Sequence, residues 1–197
     1  KSGHETTPLL VRIDPEGKEK VISRFAYQTS GLKESDMLGR LYWSESSTDA
    51  RWSLKSSSRI RYIDLETKSK RKLSGTKGLL YNPDIHPASN FIATVGYHTD
   101  GSSSLTVVNG VSGEDIASVK APSGVQLVET AWVGDDVFAT GITEEGYGIY
   151  RFSDGKWSVV LEPQPVMIKD FQTYGDEIML TCDRTGVNEL YHLDPAT

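Results

Sequence analysis

Few residues in this chain have the type and spacing that chemistry requires. Ser30-Gly31-Leu32-Lys33 fits S-x-x-K, a spacing that sets an amine beside a nucleophilic hydroxyl. Two fixed positions arise easily in a chain rich in Ser and Lys, so the match carries little weight. No G-x-S-x-G elbow occurs, and a hydrolase nucleophile of that kind is absent. The four histidines, His4, His86, His98 and His192, lie far apart, with no H-x-x-x-H, C-x-x-C or EF-hand loop. Cys182 stands in an apolar run beside Leu180, where a buried, inert thiol is expected. Glu144, Glu145, Asp135, Asp136 and Asp183 fall in loops or at strand ends. A glycosidase would need two such groups held ~5–10 Å apart in a cleft, whereas acids in turns are usually just solvated. The expectation is no catalytic residue, no metal ligand and no cofactor. The stretch from Trp43 to Lys55 is different, because it carries Arg51 and a second tryptophan, Trp52. Trp and Arg are enriched among the residues that dominate protein interfaces.

The elements that must position these residues are strands. Residues 39–44 are followed, after a long polar loop, by 59–64, the turn 65–68 and 70–73. The same order recurs as 90–97, 104–109, the turn 110–113 and 115–119. It recurs again as 136–140, 147–152, the turn 153–155 and 157–161, and a last time as 177–181 and 189–193. Residues 9–13, 14–17 and 20–22 read as the second half of one more unit. Ile63 to Val108 is 45 residues, Val108 to Arg151 is 43 and Arg151 to His192 is 41. A period of ~40–45 residues with four strands is that of a propeller blade. Each unit then needs an innermost strand, and the apolar runs 79–85, 126–132 and 166–171 supply candidates. Near-continuous apolar strands suit sheets covered on both faces. Asp14-Pro15-Glu16-Gly17 and Ser153-Asp154-Gly155 are turns, Pro presetting φ and Gly accepting φ > 0. The one candidate for a short helical turn is residues 30–38, which Gly31 weakens.

The stretch Asn82-Pro83-Asp84-Ile85-His86-Pro87-Ala88-Ser89-Asn90-Phe91-Ile92-Ala93 resembles the TolB-type (WD-like) propeller repeat, Pro-x-x-Ser-Pro-Asp-Gly-Lys-x-Ile-Ala-Phe. Pro83 and Ile85 match the end of its first strand, His86 stands where the family has Ser, and Ile92-Ala93 open the second strand. Asp183-Arg184-Thr185-Gly186 through Tyr191 resembles the family's hairpin Asp-Arg-x-Gly-x-x-x-Ile-Tyr. In physical terms Pro83 ends an inner strand, Gly186 takes the φ > 0 position of a tight loop, and His86 makes a structural hydrogen bond. The resemblance implies an all-β fold, a β-propeller of four-stranded antiparallel blades, in a parent of six or more blades. Three whole units and two partial ones leave two outcomes: the end units combine and close a ring of four blades, or, as is expected here from the parent's size, the chain is an incomplete ring, with units near 1–23, 39–73, 79–120, 126–161 and 166–197.

In such a fold the loops between second and third strands share a face with the connections between blades. The loop bearing Trp43, Arg51 and Trp52 meets there those around Tyr97, Tyr147 and Arg184. These six residues are the expected contacts for a protein, peptide or glycan partner, with Trp52 as a cap on the blade edge the competing reading. An accessory propeller of a larger peptidase or hydrolase is the alternative, and a channel site built from Glu or Asp of several blades the weaker third. Unpaired blade edges make a homodimer a further expectation.

Composition narrows the partners. With 27 acids against 21 Lys and Arg the net charge is −6, and the densest basic run, residues 68–72, closes a strand. Nucleic-acid binding needs a larger clustered footprint and is not expected. No run approaches the ~18 apolar residues of a membrane span. One cysteine allows no internal disulfide. The chain opens on Lys1 and shows no signal peptide, which reads as a processed or excised piece. The family resemblance points to the periplasm or cell exterior.

Overall fold

The computed structural model describes residues 9–24, 30–48, 51, 56–73, 78–175 and 177–194. Among these there are seventeen strands and no helix. The first sheet has two strands, β1 (Leu9–Ile13) and β2 (Glu19–Arg24). The second runs β3 (Lys33–Ser35), β4 (Arg40–Thr48), β5 (Ser56–Asp64) and β6 (Lys70–Lys72). The third holds β7 (Leu79–Ile85), β8 (Phe91–Tyr97), β9 (Ser103–Asn109) and β10 (Asp115–Lys120). The fourth is β11 (Gln126–Val133), β12 (Asp136–Thr143), β13 (Gly146–Ser153) and β14 (Lys156–Gln164). The last has three strands, β15 (Ile168–Tyr174), β16 (Glu177–Cys182) and β17 (Glu189–Leu193). Every pairing is antiparallel and every sheet is a simple meander.

Apolar side chains join each sheet to the next. Between the first and second sheets, Trp43 and Ile63 close on Leu10 and Ile22. Tyr42, Ile60 and Leu73 meet Leu80, Ile92 and Val108 between the second and third. Val95 and Leu105 meet Leu127, Trp132 and Val137 between the third and fourth, and Phe138 and Ile149 meet Phe171, Ile178 and Leu180 beyond. Middle strands therefore bury both faces: in β8 five consecutive residues, from Ile92 to Gly96, are buried. That is why the sequence shows apolar runs rather than alternation. Meanders stacked face to face around an axis, with inner strands β3, β7, β11 and β15, make a β-propeller.

Two local expectations change. Residues 30–38 form no helical turn. Lys33–Ser35 is the inner strand of the second sheet, pairing with residues 40–42. Tertiary pairing overrides the weak helical preference there. Pro83 does not end an inner strand either. It lies inside β7 and is buried, at a register shift between Tyr81 and Asp84. A bulge needs no ladder N–H from the extra residue, so proline is tolerated there. Gly186 takes φ +89° as its turn requires.

Candidate functional site

The inner strands carry more than apolar residues. β7, β11 and β15 are each interrupted, at Tyr81/Asp84, Leu127/Glu129 and Lys169/Gln172. Asn82 and Asp170 sit in these bulges at φ +50° and +52°. Asn and Asp tolerate the left-handed region better than other side-chain-bearing residues. A bulge re-aims side chains, and here it turns polar groups to the axis.

Those groups tie neighbouring inner strands together. The Asn82 amide donates to the Val128 carbonyl at 2.6 Å, and the Thr130 hydroxyl donates to the Asn82 carbonyl at 3.2 Å. Asp84 accepts the Trp132 backbone N–H at 2.8 Å and pairs with Lys33 Nζ at 2.9 Å. Glu129 accepts the Phe171 N–H at 3.0 Å. Around these residues lies an axial pocket of about 80 Å³, lined among others by Ser30, Lys33, Asn82, Glu129, Asp170 and Gln172. Burial pushes the Glu129 carboxyl up, with nearby Asp170 adding to the effect; the Phe171 N–H and Lys33 oppose it.

The polar groups of this pocket are engaged with one another. Lys33 is committed to Asp84, and the Ser30 hydroxyl accepts the Ser44 N–H at 2.8 Å, so the S-x-x-K pair meets at the pocket without pairing as nucleophile and base. A serine–histidine contact occurs elsewhere: His98 Nε2 lies 3.0 Å from Ser104 Oγ. Ser104 is only 1% exposed and also contacts Thr106 at 3.3 Å, so the contact anchors the exposed β8–β9 loop to the buried face of β9. Among the described residues no group of three or more His, Cys, Asp or Glu converges as a metal site would require.

The six expected partner contacts separate. Tyr97 closes β8 and donates its hydroxyl to the Leu127 carbonyl at 2.9 Å, while burial pushes that phenol up. Tyr147, half-buried on β13, packs on the core between the last two sheets. Arg184 is exposed in the β16–β17 loop and Arg51 is exposed beyond β4. These four stand at second-to-third strand loops, on the face of the inter-sheet connections. Asp183 fixes that relation in the last sheet by accepting the Met167 N–H at 2.6 Å. Trp43 is a correction: it is 0% exposed, paired with Arg61 in mid-strand and packed between sheets, so it has no surface for a partner. Trp52 lies outside the described residues.

Glu129 and Asp170 were not singled out from sequence, and Lys33 only as the amine of the S-x-x-K match. The available signal was an acid inside an otherwise apolar strand, Glu129, and the polar pair Lys169-Asp170 ahead of Phe171. His86 behaves as expected, with Nδ1 accepting the Ala88 N–H at 3.1 Å and Nε2 lying 3.2 Å from Asp135. Cys182 is buried.

Against known proteins, no family model matches the chain, and no curated protein matches it significantly. Solved structures do. The β-propeller domain of the Trilobed protease from Pyrococcus furiosus, described as having an open velcro topology, matches with a TM-score of 0.62 and 17% identity over 100% of this chain and 64% of that one. A TolB from Agrobacterium tumefaciens gives 0.69 and 14% over 90% and 62%. A chain of a nidogen–laminin complex gives 0.68 and 13% over 96% and 68%. The protein is a β-propeller with the fold of TolB and of these propeller domains. It spans 64% and 62% of the first two, less than two thirds of either.

Proposed function

We propose that this chain is a non-catalytic propeller module that receives a protein, peptide or glycan partner on its connection face, over the mouth of the axial pocket. The observation that carries this reading is the convergence of Lys33, Glu129 and Asp170 from three inner strands on one small polar pocket, beside Ser30 and Gly31 of the β2–β3 connection. Arg51 and Arg184, exposed at second-to-third strand loops, belong to the proposed surface, with Tyr97 and Tyr147 at the neighbouring loops of the same kind. Trp52 belongs to the same proposed surface. The nidogen–laminin complex is a case in which a similar fold takes part in a protein complex. Export to the periplasm or cell exterior is part of the reading, supported by the TolB-type repeat. Peptide and glycan arrays probed with the purified chain test it. Binding should weaken at least tenfold in the Arg51→Ala/Arg184→Ala double variant and in Glu129→Gln. Hits that survive all three changes remove the partner from this face.

A second reading is an accessory or gating propeller of a larger peptidase or hydrolase. The likeness to a protease propeller domain supports it. The coding sequence beyond this chain decides: a hydrolase nucleophile signature there favours it, and its absence discards it.

Self-association is a third element. Leu190 on the β17 edge is 67% exposed and Tyr174 is 78% exposed, and β17 pairs with β16 alone among the described strands. Sedimentation at rising concentration should show dimers that Leu190→Lys abolishes; a monomer throughout excludes this edge as a contact.

A further inference from the structure

Between the first two sheets lies a cleft of about 520 Å³. None of its lining residues belongs to the axial pocket, and it plays no part in the partner reading above. On its floor are the apolar side chains Leu10, Leu41 and Leu65. Its other wall is basic. Arg12 of β1 and Lys20 of β2 are direct cross-strand partners, an arrangement that like charges disfavour. Lys68, in the β5–β6 turn of the neighbouring sheet, reaches the same cleft. The positive charge of Lys20, with Arg12 adding to it, holds the Lys68 ammonium below its usual range. Among the described residues none of the three cations is in an ion pair with a carboxylate; Glu34, also on the cleft, is in none either.

Gathering three positive charges from two sheets costs free energy in the empty protein. An anion placed among them recovers it, and a charge-assisted hydrogen bond from each donor adds to the gain. The adjoining apolar floor sets a second requirement, because it rewards a ligand that carries hydrocarbon behind its charge. We propose that this cleft is a binding site for an amphiphilic anion, with a carboxylate or phosphate head between Arg12, Lys20 and Lys68 and an apolar tail along Leu10, Leu41 and Leu65. Glu34 sets the limit on affinity, as a fixed negative charge on the same cleft.

Calorimetric titration of the whole chain with sodium dodecanoate, below its micelle concentration, tests this. One equivalent should bind saturably. Lys20→Gln/Lys68→Asn should weaken it at least tenfold, and Glu34→Gln should tighten it. Both lysines are exposed, and Asn suits the φ of +57° at position 68, so the double variant keeps the fold. Inorganic phosphate should bind far more weakly than dodecanoate, and dodecyltrimethylammonium not at all. Equal affinity for phosphate and dodecanoate removes the apolar half of the proposal. Equal affinity for the cationic amphiphile, an unchanged constant in the double variant, or no saturable binding overturns it. Sedimentation with phosphatidylglycerol vesicles but no uptake of dodecanoate also overturns it, in favour of adsorption to a lipid surface.

Discussion

The carboxylate of Asp84 on β7 accepts the backbone N–H of Trp132 on β11 at 2.8 Å. Its other oxygen holds Lys33 of β3 at 2.9 Å, so one buried side chain joins three consecutive inner strands. Removing it leaves a buried N–H without an acceptor and a lysine without its counter-charge. Asp84→Ala should cost about 3 kcal/mol, as breaking a buried pair does. Asp84→Asn keeps an acceptor for Trp132 and should cost roughly half as much. Asp135→Asn, at an exposed turn, should change stability by less than about 0.5 kcal/mol. Urea unfolding followed by tryptophan fluorescence measures all three, and equal costs at positions 84 and 135 would contradict the strand-joining role.

Glu129 makes the corresponding link to Phe171, but its carboxyl is shifted up, chiefly by burial. The folded protein therefore holds this proton more tightly than the unfolded chain does. The stability associated with it is complete below the ordinary glutamate value of about 4.3 and is lost as pH rises from there to the folded-state value. Glu129→Gln does not titrate and still accepts the Phe171 N–H. The variant should match the wild type near pH 4 and exceed it at pH 8, by up to about 1 kcal/mol or 2–4 °C in melting temperature. A difference that shrinks as pH rises would reverse the assignment.

The strands and their order could be read from the sequence because blades repeat: apolar middle strands and Gly-bearing turns recur at nearly constant spacing. The strand at Lys33–Ser35 escaped, since three polar residues carry no apolar period, and its pairing with residues 40–42 is set by tertiary packing. The axial residues escaped for a related reason. Glu129 and Asp170 are ordinary acids in sequence, and only the bulges of β11 and β15 bring them to the same pocket. Trp43 misled because residue type suggests an interface, while its place in mid-strand buries it. Loop-face positions such as Arg184 were legible because the Asp-Arg-x-Gly hairpin fixes its own geometry.

Two glycines separate backbone strain from collision. Gly101 has φ +82° with open space where a Cβ would stand, so Gly101→Ala should cost only the conformational penalty of about 1 kcal/mol. Gly146 has φ +122°, and a Cβ there would collide with the backbone carbonyl of Gln164. Gly146→Ala must displace β14 from β13 and should cost more than about 3 kcal/mol or prevent folding. Thermal melts of both variants, read by circular dichroism, give the comparison, and equal shifts would show that β14 moves freely.

Trp157 ties two sheets at the outer rim. Its indole N–H donates to the Lys120 carbonyl at 2.9 Å, so β14 is bonded to the end of β10, and its ring packs on Phe152 with centroids 5.2 Å apart. The carbonyl lies at the surface, where water can replace a lost donor, so the bond itself is worth little more than an ordinary one. Trp157→Phe should cost about 1 kcal/mol, and Trp157→Ala, which also removes apolar contact with the third and fourth sheets, about 2–3 kcal/mol. If β10 and β14 are held by this contact, hydrogen exchange in both strands should quicken together in Trp157→Ala. Faster exchange confined to β14 would mean that the core between Val95, Leu105 and Val137 alone keeps the two sheets together.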